Sequence, residues 1–177
     1  AKFLIEDNYT VYGVDPDTQN AEIFTSLGGV LLNNISDLID KSDVIILSLP
    51  TVPIFKEVIN EIEVNGKSNE LKILIDMNTI SLNDKIETKN KLEKLNINMV
   101  DAPVSGTGAQ AKVKDIVVMS SGDKTIVDEC DDIFRSFSKQ NIYVGEFGNG
   151  IKFKILANLL VTVHNTVTAE ALLLGQK

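Results

Sequence analysis

The stretch Gly148-Asn149-Gly150-Ile151-Lys152-Phe153-Lys154-Ile155-Leu156-Ala157-Asn158 sets two glycines, two lysines and an asparagine at the start of a strongly apolar segment. Residues four apart share a helix face, so Lys154 and Asn158 point the same way and Lys152 does not. An amine on a mostly apolar helix is costly unless it has a partner or a task. Lys154 is therefore a candidate proton donor and acceptor, and Asn158 could orient a polar group beside it. The bland alternative is a lysine whose amine snorkels to solvent; it competes well for Lys152 and less well for Lys154. A phosphate-binding G-x-G-x-x-G is excluded, because Phe153 stands where the third glycine belongs.

A second group is Asp101-Ala102-Pro103-Val104-Ser105-Gly106-Thr107-Gly108-Ala109, whose glycines let backbone N–H groups turn toward an anion while hydroxyls add donors. A carboxylate would fit there, and so would a plain Ser-Gly turn. A third is Tyr12-Gly13-Val14-Asp15-Pro16, which puts a carboxylate at the end of a short strand, where a dinucleotide fold holds the ribose hydroxyls of NAD. Turn formation or helix capping is the competing role. No Lys or Arg occurs from Asp15 through Ile39 to pair with a 2'-phosphate, so NAD is favoured over NADP. Leu47-Ser48-Leu49-Pro50-Thr51 and Asp76-Met77-Asn78-Thr79-Ile80-Ser81 each close an apolar run, at the strand ends where open α/β sheets bind ligands. Neither is diagnostic alone. His164, the single histidine, and Cys130, on an apolar helical stripe, are read as packing residues.

These groups need a scaffold of alternating strands and helices. Strands are expected near 10–14, 43–49, 72–76, 97–100, 115–120 and 141–144, and helices over 52–62, 82–95 and 123–137, with Ser81 and Asp123 as N-caps. This alternation specifies a largely parallel sheet. Residues 1–7 read as the back end of a helix, so the chain is expected to start inside a Rossmann-type unit, with a first strand and glycine-rich turn preceding Ala1. After Gly148-Asn149-Gly150 a single helix is expected to run to about Leu174, apolar on nearly every face, as if buried between domains or subunits. The domains are therefore drawn at 1–148 and 149–177.

The net charge of −8 and the single arginine, Arg135, argue against nucleic-acid or anionic-membrane partners. One cysteine allows no internal disulfide, and no signal-peptide pattern or uninterrupted apolar run of about 18 residues is present, so a cytoplasmic location is expected.

Taken in order, the motifs resemble the β-hydroxyacid dehydrogenase family, which includes 3-hydroxyisobutyrate dehydrogenase, tartronate semialdehyde reductase and, more distantly, 6-phosphogluconate dehydrogenase. The resemblance rests on Gly13-Val14-Asp15, Leu49-Pro50, Asp76-Met77-Asn78-Thr79-Ile80, Asp101 to Gly106, Met119, Gly148-x-Gly150-x-x-x-Lys154-x-x-x-Asn158, Thr168-Ala169-Glu170-Ala171 and Gly175. It implies Asp15, Leu49, Pro50 and Thr79 at NAD, Ser105, Gly106 and Thr107 at a substrate carboxylate, Lys154 as acid/base, and Asn158 as a substrate-orienting group. Thr107, Gln110 and Lys114 stand where the family commonly has glycine, and Asn78 replaces a more usual serine. The implied fold is an α/β Rossmann-type domain joined to the first long helix of an all-α domain. The implied reaction is reversible, metal-free hydride transfer between NAD and a small 3-hydroxy (or 2-hydroxy) carboxylate or its semialdehyde, in a homo-oligomer assembled through the C-terminal helices. A decarboxylating sugar-acid dehydrogenase and a non-catalytic dinucleotide-binding module are the competing readings.

Overall fold

Strand residues that alternate between two apolar layers organise the computed structural model, which describes residues 1–66 and 71–176. Strands β3 (Val44–Leu47), β4 (Ile73–Asp76) and β5 (Asn98–Asp101) pair in parallel, preceded by α1 (Lys2–Glu6), β1 (Tyr12–Gly13), α2 (Thr18–Ser26), β2 (Val30–Leu31) and α3 (Ile35–Lys41). Ile45, Leu47, Leu74 and Met99 face one layer with Ile39 of α3, Phe55, Ile59 and Ile62 of α4 (Val52–Asn65), and Leu92 of α5 (Leu82–Glu93). Ile73, Ile75 and Val100 face the other, against Val118, Val127, Cys130 and Phe134. Burial on both faces is what unbroken aliphatic strands require.

β1 and β2 form a separate parallel pair. Phe24 of α2 lies across it, and a Cβ on Gly13 or Gly29 would come within 2.8 or 2.2 Å of its ring. On the far side, β7 (Val117–Ser120) pairs in parallel with β8 (Gln140–Tyr143) and antiparallel with β6 (Val104–Ser105). An isolated antiparallel bridge between Asp101 and Ser121 joins β5 to this sheet. The short helix α6 (Gly108–Ala111) follows β6; α7 (Lys124–Glu129) and α8 (Asp131–Phe137) precede β8; α9 (Asn149–Gly175) ends the described chain. Lys177, the last residue of the expected second domain, lies outside the described residues.

All six expected strands are present, and parallel pairing dominates. The expected 10–14 strand contracts to Tyr12–Gly13, because its partner β2 is itself two residues long. Three helices and two strands went unplaced by pattern: α2, α3, α6, β2 and β6. The expected 123–137 helix divides at Cys130, whose amide bonds Val127 O at 3.2 Å, three residues back instead of four. The tighter turn separates two helices while keeping Cys130 and Phe134 in the core.

α9 is the single long helix expected after Gly148-Asn149-Gly150, and it ends at Gly175. Only Gly150 and Ile151 of its 27 residues are buried, so its leucines and valines face solvent instead of a neighbouring element. By length and composition alone this helix could also cross a membrane, which corrects the expectation that no segment is long and apolar enough. Its polar positions Asn158, His164, Asn165 and Glu170 interrupt that character.

Candidate functional site

The carboxyl ends of β3, β4, β5 and β7 converge, and a buried set of polar side chains stitches them together. Asp76 ends β4 directly opposite Asp101, which ends β5. Lys85 lies on the inward face of α5 with Thr88 and Leu92, on a helix capped by Ser81 as expected. Its amine sits 2.6 Å from Asp76 Oδ2 and 2.8 Å from Asp101 Oδ1, and all three side chains are 0% exposed. Lys85 donates an aligned hydrogen bond to Asp76, whereas its contact with Asp101 Oδ1 is Coulombic, without hydrogen-bond alignment.

The second oxygen of each carboxylate holds backbone. Asp76 Oδ1 accepts from the Asn78 amide at 3.0 Å and from Asn78 Nδ2 at 2.7 Å, and Asn78 Oδ1 accepts from the Leu49 amide after β3. Asp101 Oδ2 accepts from the Ile151 amide at 2.8 Å and from Ser121 Oγ at 3.0 Å; Ser121 Oγ in turn accepts from the Gly150 amide at 3.0 Å. Two orphan N–H groups of α9 are thereby satisfied by buried acceptors. The two glycines have separate jobs. Gly148 takes φ +89 to turn the chain into the helix, and a Cβ on Gly150 would lie 2.5 Å from Met119 O and 2.9 Å from Asp101 Oδ2.

The residues expected at the cofactor lie at strand ends. Leu49 is half-buried, Pro50 and Thr79 are exposed, and the Asn78–Leu49 hydrogen bond ties their two loops together. Asp15 is exposed beyond β1, on the separate two-stranded ribbon. Its oxygens accept from the Asp17 amide at 2.9 Å and from Asn20 Nδ2 at 3.4 Å, and no cation pairs with it among the described residues. The cap of α2 is Asp17, not Asp15. An exposed carboxylate with free acceptor capacity suits a diol and repels a phosphate, so this end of the sheet fits NAD.

The loop Ser105-Gly106-Thr107 is exposed. Gly106 takes φ +143, and a Cβ there would meet Ile116 Cγ2 at 2.6 Å. Thr107 is the N-cap of α6, its hydroxyl bonded to Gln110 Oε1 at 3.1 Å and to the Gln110 amide at 3.3 Å, while its own amide donates to Gln110 Oε1 at 2.8 Å. Its hydroxyl is engaged inside the capping box and is no free donor, whereas Ser105 has no side-chain partner among the described residues. Lys114, where the resemblance leads one to expect glycine, adopts φ +61.

Lys154 is half-buried and takes part in no hydrogen bond or ion pair among the described residues; Asn158 is exposed. Lys152 instead donates to Asn149 Oδ1 at 3.2 Å, so the two lysines do point different ways. Because β6 runs antiparallel, Ser105 pairs with Val117 at the start of β7, while α9 begins beside the other end of that strand. Among the described residues no hydrogen bond links the loop to Lys154. Cys130 is fully buried in the core, and burial pushes its thiol up to about 11. His164 is exposed on α9. Among the described residues no cluster of His, Cys, Asp or Glu is arranged to hold a metal ion.

Sequence reasoning had no role for Asn78, Lys85, Asp101 or Ser121. The available signal was a lysine in the Leu82–Lys85–Thr88–Leu92 stripe, opposite two strands that each end in aspartate.

Comparison with known proteins follows this geometry. Residues 1–145 match the family described as the NAD binding domain of 6-phosphogluconate dehydrogenase. The chain is 28% identical to 2-(hydroxymethyl)glutarate dehydrogenase of Eubacterium barkeri over 98% of its own length and 58% of the relative. It is 31% identical to the mitochondrial 3-hydroxyisobutyrate dehydrogenase of Bos taurus over 99% of its length and 52% of the relative. A solved structure of Mycobacterium tuberculosis 3-hydroxyisobutyrate dehydrogenase with L-serine superimposes with a TM-score of 0.93 at 24% identity, covering 99% of this chain and 60% of that one. The chain thus spans between half and three-fifths of these proteins, and the structural likeness establishes the Rossmann-type fold followed by a helical region.

Proposed function

The chain belongs to the family of the NAD-binding domain of 6-phosphogluconate dehydrogenase, and from that premise we propose that its protein is an NAD-dependent dehydrogenase of small β-hydroxy carboxylic acids or their semialdehydes. The hydroxy-acid dehydrogenases among its relatives support this reading. The observation that carries it is Lys154: a half-buried lysine without a hydrogen-bond or ion-pair partner among the described residues, one turn beyond a helix start that buried acceptors clamp to the strand ends.

In this proposal NAD, when bound, supplies the hydride acceptor. Asp15 accepts the ribose hydroxyls, and the loops at Leu49, Pro50 and Thr79 line the strand ends beside it. Ser105 and Gly106 receive the substrate carboxylate, Thr107 joins them only when its capping box opens, and Asn158 orients the substrate from the helix face it shares with Lys154. Lys154 takes the hydroxyl proton during oxidation and returns it during reduction. No metal takes part. Residues 1–148 form the nucleotide domain, and 149–177 begin a helical domain. The exposed apolar surface of α9 is covered by that domain and by a partner subunit in a cytoplasmic homo-oligomer.

Steady-state kinetics of the full-length protein over small hydroxy acids and their semialdehydes tests the reading. Lys154→Ala is expected to lower kcat by about a hundred- to ten-thousandfold while NADH still binds. Lys152→Ala is expected to stay near the parent. Full activity of Lys154→Ala would remove the acid/base assignment, and a parent inactive on every substrate would favour a binding module.

A further inference from the structure

From the Leu49 amide to the Ile151 amide runs an unbroken series of polar contacts: Leu49 to Asn78, Asn78 to Asp76, Asp76 to Lys85, Lys85 to Asp101, and Asp101 to Ile151, with Ser121 bridging Asp101 and Gly150. One end is the strand-end loop assigned to the cofactor. The other is the first turn of the helix that carries Lys154. The central cation is fully buried between two fully buried carboxylates on adjacent strands.

Stability alone is a weak reason for such a set, because desolvating buried ions offsets much of their attraction and apolar side chains of similar volume commonly serve as well. Apolar side chains could not do what the outer oxygens do, which is to fix the Asn78 and Ile151 amides at opposite ends of the series. Without Lys85, two facing carboxylates would remain in a low-dielectric interior. They would move apart or one would take up a proton. In either case Asp101 would lose its orientation, and with it the seat of α9.

We infer that Lys85 is a positioning residue: held between Asp76 and Asp101, it sets the placement of the Lys154 helix relative to the strand-end loops at Leu49 and Thr79. The inference rests on the assignment of Lys154 in the proposed function. A displacement of about 1 Å between reacting groups can cost about a hundredfold in rate, so a rigid buried strut is worth its place.

The test uses full-length Lys85→Met together with the compensated variant Asp76→Asn/Lys85→Met/Asp101→Asn, which orphans no buried charge and so keeps the question open if the single variant fails to fold. Single-turnover hydride transfer is followed by NADH fluorescence, per folded molecule, well below the melting temperature. Expected is a loss of about ten- to a hundredfold in the rate, with NADH affinity within about twofold of the parent and no further loss when the substitutions are added to Lys154→Ala. An unchanged rate with a lowered Tm would reduce Lys85 to a structural role and overturn the inference. So would a loss fully additive with Lys154→Ala. If Lys154→Ala alone matched the parent, the underlying reading would fall first and the inference with it.

Discussion

At the scale of single residues, a free functional group and an engaged one can look alike in sequence. Asp15 has no cationic partner among the described residues and keeps acceptor capacity open to solvent. Replacing it with alanine in the full-length protein is expected to weaken NADH by about ten- to a hundredfold, the range for a hydrogen bond to a charged acceptor, and to narrow the preference over NADPH. Fluorescence titration of both nucleotides measures this; equal affinities in the parent would remove the assignment. The two hydroxyls of the carboxylate loop should separate. Ser105→Ala is expected to raise KM for the hydroxy acid about tenfold at nearly constant kcat. Thr107→Ala should instead act mainly on stability, costing about 1 kcal/mol through the lost cap of α6, with a smaller change in KM. Equal KM effects would mean that the capping box opens on binding. The lysine faces were legible because helical periodicity is local. The buried Lys85 set was not, because Asp76 and Asp101 become neighbours only when strands 25 residues apart fall into register.

Elements with long periodic faces were legible, and short ones were not. α4 and α5 carry enough apolar positions to declare themselves, whereas α2 buries only Ala21 and α6 is four residues long, held by its capping box. β6 is two residues long, and its antiparallel course depends on hydrogen bonds to β7 that no pattern in Val104-Ser105 encodes. The start of α9 lies between these cases: Gly-x-Gly was visible as a motif, but its reason is steric and three-dimensional. Gly150→Ala would press a methyl group against the Met119 and Asp101 carbonyl oxygens and the Asp101 carboxylate, none of which is a flexible chain end. The expected cost is about 1–3 kcal/mol, the range for overpacking, read as a lower denaturant midpoint with the slope unchanged. A substitution without effect would mean that α9 can pivot away from the strand ends.

For the molecule as a whole, the family and the fold class were legible because motif order and strand alternation both survive in a single sequence. The exposure of α9 was not, because an apolar helix reads the same whether its own chain covers it or leaves it open. The polar stitching at the strand ends has a further effect, on the lifetime of the folded state. Its contacts close long loops: Ile151 meets Asp101 across 50 residues, and Gly150 meets Ser121 across 29. Their acceptors sit at the ends of β5 and β7 and are in place only once those strands have paired, which puts these contacts after sheet assembly and beyond the rate-limiting barrier. Ser121→Ala should therefore cost about 1–3 kcal/mol, nearly all of it as faster unfolding with the refolding arm of the chevron unmoved. A slowed refolding arm would place the junction inside the folding nucleus. With the junction formed late, the seat of α9 on the strand ends governs how long each molecule stays folded, while the aliphatic sheet governs how fast it gets there.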